Sequence, residues 1–239
     1  MRAGNARSLH SHVVRELGTR IVVGDLQPGD VLPREETLAE TMEVSRTALR
    51  EALKVLSAKG LIEARPKIGT RVRPMDAWNL LDADVLSWRC ESMPTDDFVD
   101  KLVEMREIIE PAAAASAAKR RSDAQLAAMQ DAYDRMAAAP DPDTWAEADL
   151  AFHQTMLKAT GNELMISLFS VVESALRTFF VLSANNASNF AYSLPHHLVV
   201  LEAIREQQPE AARKAMHDTV ADSYANLRSA RTASDKKSA

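Results

Sequence analysis

Apolar residues recur at every third or fourth position along most of this 239-residue chain, and the breaks in that rhythm mark its joints. Leu9, Val13, Leu17 and Ile21 stand at i+4 spacing and predict an amphipathic helix over 8–23. The run 24–30 contains Gly24, Pro28 and Gly29 and reads as a turn. A short helix follows from about Glu35 to Met42. A third spans Ser45 to Lys59, with Leu49, Ala52, Leu53 and Leu56 on its apolar side. Ser45 is placed to cap that helix, and Gly60 to end it in the left-handed conformation ahead of apolar Leu61. Residues 61–64 and 70–72 flank Arg65-Pro66-Lys67-Ile68-Gly69 and predict a hairpin with a basic tip. Three helices followed by such a wing predict a winged helix-turn-helix over 1–74, a unit that places its recognition helix in the DNA major groove.

Beyond Pro74 the pattern predicts a linker or docking segment over 75–94, including a short helix, and then helix almost throughout. The helices are expected near 95–120, 122–138, 142–160, 162–184, 195–207 and 209–228, with Pro195 near a helix start and Pro209 in a first turn. Residues 230–239 are polar and predict a disordered tail. The fold class is therefore mainly α: a winged helix-turn-helix followed by an all-helical bundle over 95–229.

Charge separates the two parts. Residues 1–74 carry 13 Lys and Arg against 9 Asp and Glu, whereas residues 75–239 carry 16 against 25. A basic front and an acidic rear point to different partners for each. Arg46, Arg50 and Lys54 share one face of the third helix. Arg46 lies in its first turn, where the helix dipole disfavours a cation by ~0.3–1 kcal/mol. An anion across that end, such as DNA phosphate, reverses the sign. The single cysteine, Cys90, excludes an internal disulfide framework. The N-terminus lacks the apolar core of a signal peptide, and no apolar run approaches the ~20 residues of a membrane helix. A cytoplasmic location and no membrane partner are expected.

The stretch from Leu17 to Pro33, then Leu38-Ala39, Val44-Ser45-Arg46, Leu49-Arg50-Glu51-Ala52-Leu53, Leu56 and Gly60-Leu61-Ile62, resembles the GntR superfamily of bacterial transcription regulators. Arg106-Glu107-Ile108-Ile109-Glu110-Pro111, Asp149-Leu150-Ala151-Phe152-His153 and the segment His197–Ile204 resemble the FadR-type (FCD) branch, whose rear domain is a helical bundle that binds an effector. The segment Trp78–Trp88 is similar to the linker of galactonate-type, sugar-acid operon repressors. The resemblance implies a DNA-binding regulator, a repressor acting as a homodimer on a palindromic double-stranded operator and released by a small carboxylate. It implies DNA contacts at Ser45, Arg46, Thr47 and Arg50 and at the wing near Lys67 and Gly69. Arg71 and Arg34 are further phosphate candidates; solvated surface charge is the alternative for each. Glu36 stands where the best-known family member carries arginine, which leaves the operator sequence open.

In the rear domain Asp149 and His153 are i, i+4 and project from one helical face, and His197 on another helix is placed to converge on them. Two imidazoles and a carboxylate suit a divalent ion, Zn²⁺ first, with Ni²⁺ or Mn²⁺ as alternatives. A polar cavity without metal is the competing reading. Many relatives carry a third histidine where this chain has Thr219, and His217 falls on a different face. For a carboxylate effector the cations would be Arg106, on the resemblance, and Arg177, which lies in an apolar stretch; a salt bridge to Glu173 is the alternative for Arg177. Asn185, Asn186 and Asn189 read as turn residues or pocket groups, His196 as exposed, and Trp78, Trp88 and Trp145 as packing residues at domain contacts. Two other functions stay open: a metal-dependent hydrolase, which the Asp/His/His set alone would permit, and a DNA-binding protein without a ligand.

Overall fold

The computed structural model describes residues 3–92, 95–183 and 188–238, and their side chains except within 3–9, 181–191 and 230–238. The chain divides into two compact units, 1–93 and 94–239.

In the first unit, α1 (Ala3–Val22), α2 (Glu35–Thr41) and α3 (Arg46–Ala58) precede the strands β1 (Ile62–Arg65) and β2 (Gly69–Val72). Val13, Leu17 and Ile21 of α1 are buried against Leu49, Ala52, Leu53 and Leu56 of α3, as their spacing demands. Ser45 Oγ accepts from the Ala48 amide at 3.1 Å and starts α3. At the other end the Leu61 amide bonds Leu56 O and the Gly60 amide bonds Ser57 O, the two bonds of a Schellman ending. Gly60 sits at φ +78°, and a Cβ there would meet Ala77 O at 2.3 Å, so backbone conformation and close approach both require glycine. The antiparallel strands pair from Ile62↔Val72 to Arg65↔Gly69. The tip is thus three residues, Pro66 to Ile68, shorter than expected, because Lys67 (φ +67°) and Gly69 (φ +110°) both take left-handed backbone.

Residues 75–92 are part of this unit. After a 3-10 turn at Met75–Ala77, α4 (Ala83–Glu91) lies along α1, and Trp78, Val85 and Trp88 join the core of the head. The approach is close enough that a Cβ on Gly18 would stand 2.2 Å from the Trp88 ring. Trp78 Nε1 donates to Arg73 O at 2.8 Å, and Lys59 Nζ pairs with Asp82 and Asp84, each at 2.7 Å. Trp78 and Trp88 therefore pack inside the head. The segment between the two expected domains is apolar enough to be absorbed by the first.

The second unit holds α5 (Asp96–Arg120), α6 (Asp123–Ala138), α7 (Pro142–Ala159), α8 (Glu163–Ser167), α9 (Phe169–Ser183), α10 (Ser188–Arg205) and α11 (Pro209–Ser238). Sequence-local caps set several starts: Thr95 for α5, a reciprocal Ser122/Gln125 box for α6, Asp141 ahead of Pro142 for α7, and Asn162 for α8. The helix expected over 162–184 is two. It breaks at Leu168, where the Leu168 and Val171 amides make i→i−3 bonds, and only α9 has buried residues. α10 begins at Ser188 and contains Pro195 internally, so the expected start at Pro195 is corrected. α11 continues as backbone helix to Ser238 in place of a disordered tail; residues 230–238 contain neither Gly nor Pro to stop it. Asn185 and Asn186, and the side chain of Asn189, lie outside the described residues. Among the described residues no helix is long and apolar enough to cross a membrane.

Candidate functional site

The head presents its polar side chains on α3 and the wing. Arg46, Thr47 and Arg50 are exposed, as is Arg34 at the start of α2. The arginines of α3 face acidic residues of α2: Arg46 Nη2 pairs with Glu36, and Arg50 Nε lies 2.7 Å from Glu35 Oε2. The dipole mismatch at Arg46 is therefore already offset within the free head by a carboxylate. Lys67 stands at the wing tip, and Gly69 opens β2 beside it. Arg71 is tied to Glu63 at 2.9 Å, and Arg65 reaches the same carboxylate at 2.8 Å; together they hold Glu63 below the usual carboxylate range.

The rear unit has a cavity of about 640 Å³, open mouth included, walled by residues of α5, α7, α9, α10 and α11. It carries an unusual burden of buried polar groups for a helical core: Arg106, Asp149, His153, His197 and Thr219 all line it and are at most 5% exposed. Helical periodicity explains how they meet. Asp149 and His153 are one turn apart on α7, Arg106 and Glu110 one turn apart on α5, and His197 comes from α10.

Asp149 Oδ1 is 2.9 Å from His197 Nε2 and 3.7 Å from His153 Nε2, and the two Nε2 atoms are 3.4 Å apart. The other ring nitrogen of each histidine faces an acceptor. His197 Nδ1 donates to Ser193 O at 2.9 Å, and His153 Nδ1 lies 2.7 Å from Glu110 Oε2. Protons on the Nδ1 atoms leave both Nε2 lone pairs turned toward the Asp149 carboxylate. Three electron-rich atoms so disposed in a buried site need either a proton or a cation between them. Burial works against a charged His153, yet Glu110 and Asp149 outweigh it and lift His153 to about 9. The same balance, with Arg106 and His153 prevailing over burial, lowers Glu110 to about 2, and His153 and His197 hold Asp149 well below the usual carboxylate range. Asp149 Oδ2 remains buried with no hydrogen-bond partner among the described residues. The donor set and this orphaned oxygen fit a divalent cation.

Thr219 lines the same cavity with its hydroxyl donating to Ala215 O at 2.8 Å, so no imidazole completes the set from α11. His217 is exposed beside Asp218. Arg106 is buried with Nε on Glu110 Oε1 at 2.5 Å and its guanidinium 5.2 Å from the Phe179 ring centre, while Nη1 has no hydrogen-bond partner among the described residues. A buried guanidinium nitrogen without a partner is a donor left open to an acceptor.

Three expectations are corrected. Arg177 is exposed and paired with Glu173 at 2.9 Å, outside the cavity wall, because its turn of α9 faces water rather than the apolar core. His196 is not simply exposed: it stands at the cavity mouth, 3.3 Å from Asp222 Oδ2. Trp145 lines the cavity edge-on to His197 rather than a domain contact. Glu110 was missed as a site residue, although its i+4 relation to Arg106 was available in the sequence. Phe179, Tyr192, Asp222 and Asn226 came into the wall without any sequence signal, through helix packing alone.

Residues 9–72 match the family described as "Bacterial regulatory proteins, gntR family", and residues 101–222 match the FCD domain. The Escherichia coli K12 "Galactonate operon transcriptional repressor" is 34% identical over 218 residues, spanning 90% of this chain and 95% of that one. The uncharacterized HTH-type transcriptional regulator YieP of the same organism is 35% identical over 209 residues, spanning 86% and 90%. A solved structure of Lar, a protein said to control the Listeria monocytogenes agr system, superimposes with a TM-score of 0.64 at 21% identity, covering 92% of this chain and 96% of that one, and shows a shared fold. These relatives are regulators of transcription, which sets the hydrolase reading aside. The chain belongs to the gntR family of bacterial regulatory proteins, with an FCD domain as its rear unit, and is a DNA-binding transcription regulator rather than an enzyme.

Proposed function

We propose that the protein represses a catabolic operon for a sugar acid or related small carboxylate, binding a palindromic operator as a homodimer and leaving it when the acid is bound. The observation that carries this reading is Arg106: a buried guanidinium whose Nη1 has no partner among the described residues, inside a cavity that also holds Asp149, His153 and His197. An effector carboxylate would satisfy Nη1. Glu110 would keep the guanidinium in place and neutralise part of its charge before the ligand arrives. Similarity to the galactonate operon repressor supports a hydroxylated acid as effector.

Asp149, His153 and His197 would hold a divalent metal, Zn²⁺ in first place. Such an ion supplies Lewis acidity toward a carboxylate or α-hydroxyl oxygen. Glu110 and Ser193 O orient the two imidazoles, and Thr219 leaves one direction open. Within the head, Ser45, Arg46, Thr47 and Arg50 would face bases and phosphates, with Lys67, Gly69, Arg71 and Arg34 at the backbone. The acid can shift DNA affinity only by binding one state of the protein more tightly than the other.

The test is a gel-shift titration on the DNA upstream of the gene at several salt concentrations, together with a thermal-shift screen of aldonates and keto-deoxy acids with and without Zn²⁺. The expected result is a salt-dependent complex released by at least one acid that also raises the melting temperature. A complex that no acid releases, with no acid moving the melting curve, would leave a DNA-binding protein without a ligand.

A further inference from the structure

The two arginines on the exposed face of α3 are held in different ways. Arg50 gives its Nε to Glu35, at 2.7 Å, and among the described residues neither of its Nη groups makes a hydrogen bond. Arg46 gives one of those terminal groups, Nη2, to Glu36. A guanidinium reads guanine with two donors on one edge, directed at O6 and N7. The Glu35 contact leaves that fork open and fixes its orientation, whereas the Glu36 contact occupies it. Both carboxylates belong to the first turn of α2, where the helix dipole favours them, so neither is there for the sake of the arginines alone.

We propose that Glu35 and Glu36 are specificity-determining residues with opposite actions. Glu35 is a positioning residue that presents Arg50 to a guanine. Glu36 is a gate: it keeps Arg46 off non-specific phosphates, and it yields only where the major groove offers a better arrangement, a guanine edge for Arg46 with a cytosine amino group as donor to the released carboxylate. An acidic group at the DNA surface is repelled by every phosphate, so its presence lowers affinity for all sequences and is recovered only at the right one. This inference rests on the assignment of α3 as the DNA-reading helix.

The experiment uses the full-length protein. Its preferred duplex is first selected from a randomised pool. Binding of wild type, E35Q, E36Q and E40Q is then measured on that duplex and on a random duplex at a series of salt concentrations. E40Q, one turn further along α2, controls for the loss of one negative charge. For E36Q, random-duplex binding is expected to tighten about tenfold more than binding to the selected site, with the random-duplex salt slope steeper by about 0.9, the value for one added phosphate contact. For E35Q, replacing individual guanines of the selected site by 7-deazaguanine is expected to expose one position where the loss seen in wild type, about five- to 150-fold, largely vanishes. If E35Q and E36Q change both duplexes by the same factor as E40Q, the inference is overturned while DNA reading by α3 stands. If wild type selects no preferred duplex, the assignment of α3 falls and this inference with it. Circular dichroism melting of each variant separates any of these outcomes from unfolding.

Discussion

His153 turns Nδ1 to within 2.7 Å of Glu110 Oε2 while its Nε2 faces Asp149, so one imidazole links the guanidinium-bearing helix α5 to the proposed ligand cluster. Glu110 in turn holds Arg106. The proposed anion and cation sites are therefore joined through a single carboxylate buried out of reach of water. Replacing Glu110 by Gln keeps the volume and removes the charge that both neighbours depend on. The expected result is a Zn²⁺ affinity lower by about 10–100-fold, the usual cost of losing an outer partner of a metal-bound histidine. Isothermal titration with Zn²⁺ measures it; unchanged affinity would show that Glu110 does not orient His153.

The elevated His153 sets the pH dependence. Without metal the imidazolium is favoured in the folded state, because its folded value of about 9 stands above the ordinary 6.5. Its contribution to stability is complete below about pH 6.5, declines between there and 9, and is gone above 9. Metal must displace that proton, so apparent affinity is expected to rise about tenfold per pH unit up to pH 9, with one proton released. Titration calorimetry in buffers of different ionisation enthalpy counts the proton. A release of zero at pH 7.5 would contradict the coupling.

Arg106→Met is expected to abolish the response to effector and preserve operator binding. A charge-assisted hydrogen bond to a buried carboxylate contributes about 1.5–3 kcal/mol, so ligand affinity should fall at least tenfold. Arg106 also neutralises Glu110, so some loss of stability accompanies it; comparing ligand affinity with melting temperature across Arg106→Met and Arg106→Lys separates the two. Lys preserves the charge but not the fork, and is expected to be intermediate.

Arg177→Gln serves as the contrasting case. Its pair with Glu173 is exposed, so stability should change by no more than about 0.5 kcal/mol and ligand response not at all. A lost response in this variant would place Arg177 in the effector site after all.

Gly18→Ala tests the head. The added methyl would stand 2.2 Å from the Trp88 ring, and both partners belong to packed helices. Destabilisation of about 1–3 kcal/mol is expected, the range for overpacking a tight core, read as a lower melting temperature of the isolated transition assigned to the head. An unchanged transition would mean that α4 is free to shift away.

Much of this molecule was legible in local pattern. The i+4 run Val13, Leu17, Ile21, the Ser45 cap, the Gly60 ending and the Asp149/His153 pair depend only on neighbours within a turn or two, and helix geometry is the same wherever it forms. The same holds for the order of helices and wing. The break at Leu168, the internal position of Pro195 and the continuation of α11 were not legible, because local preferences near a helix end are small against the packing of a whole face.

What only the tertiary structure decided is pairing across distance. Trp88 entered the head where Gly18 admits its ring against α1, and Trp78 where its Nε1 reaches Arg73 O; both of those partners lie outside the segment 75–92. Arg106 and Arg177 look alike in sequence, each a cation beside apolar residues with a carboxylate four positions away. One is buried in the cavity and the other faces water, since burial is fixed by which side of a helix the neighbouring helices cover. By itself the sequence determined which residues are available for DNA, cation and anion; the packing of α5, α7 and α10 decided which of them meet, because a charge can stay in a helical core only where another element brings its partner.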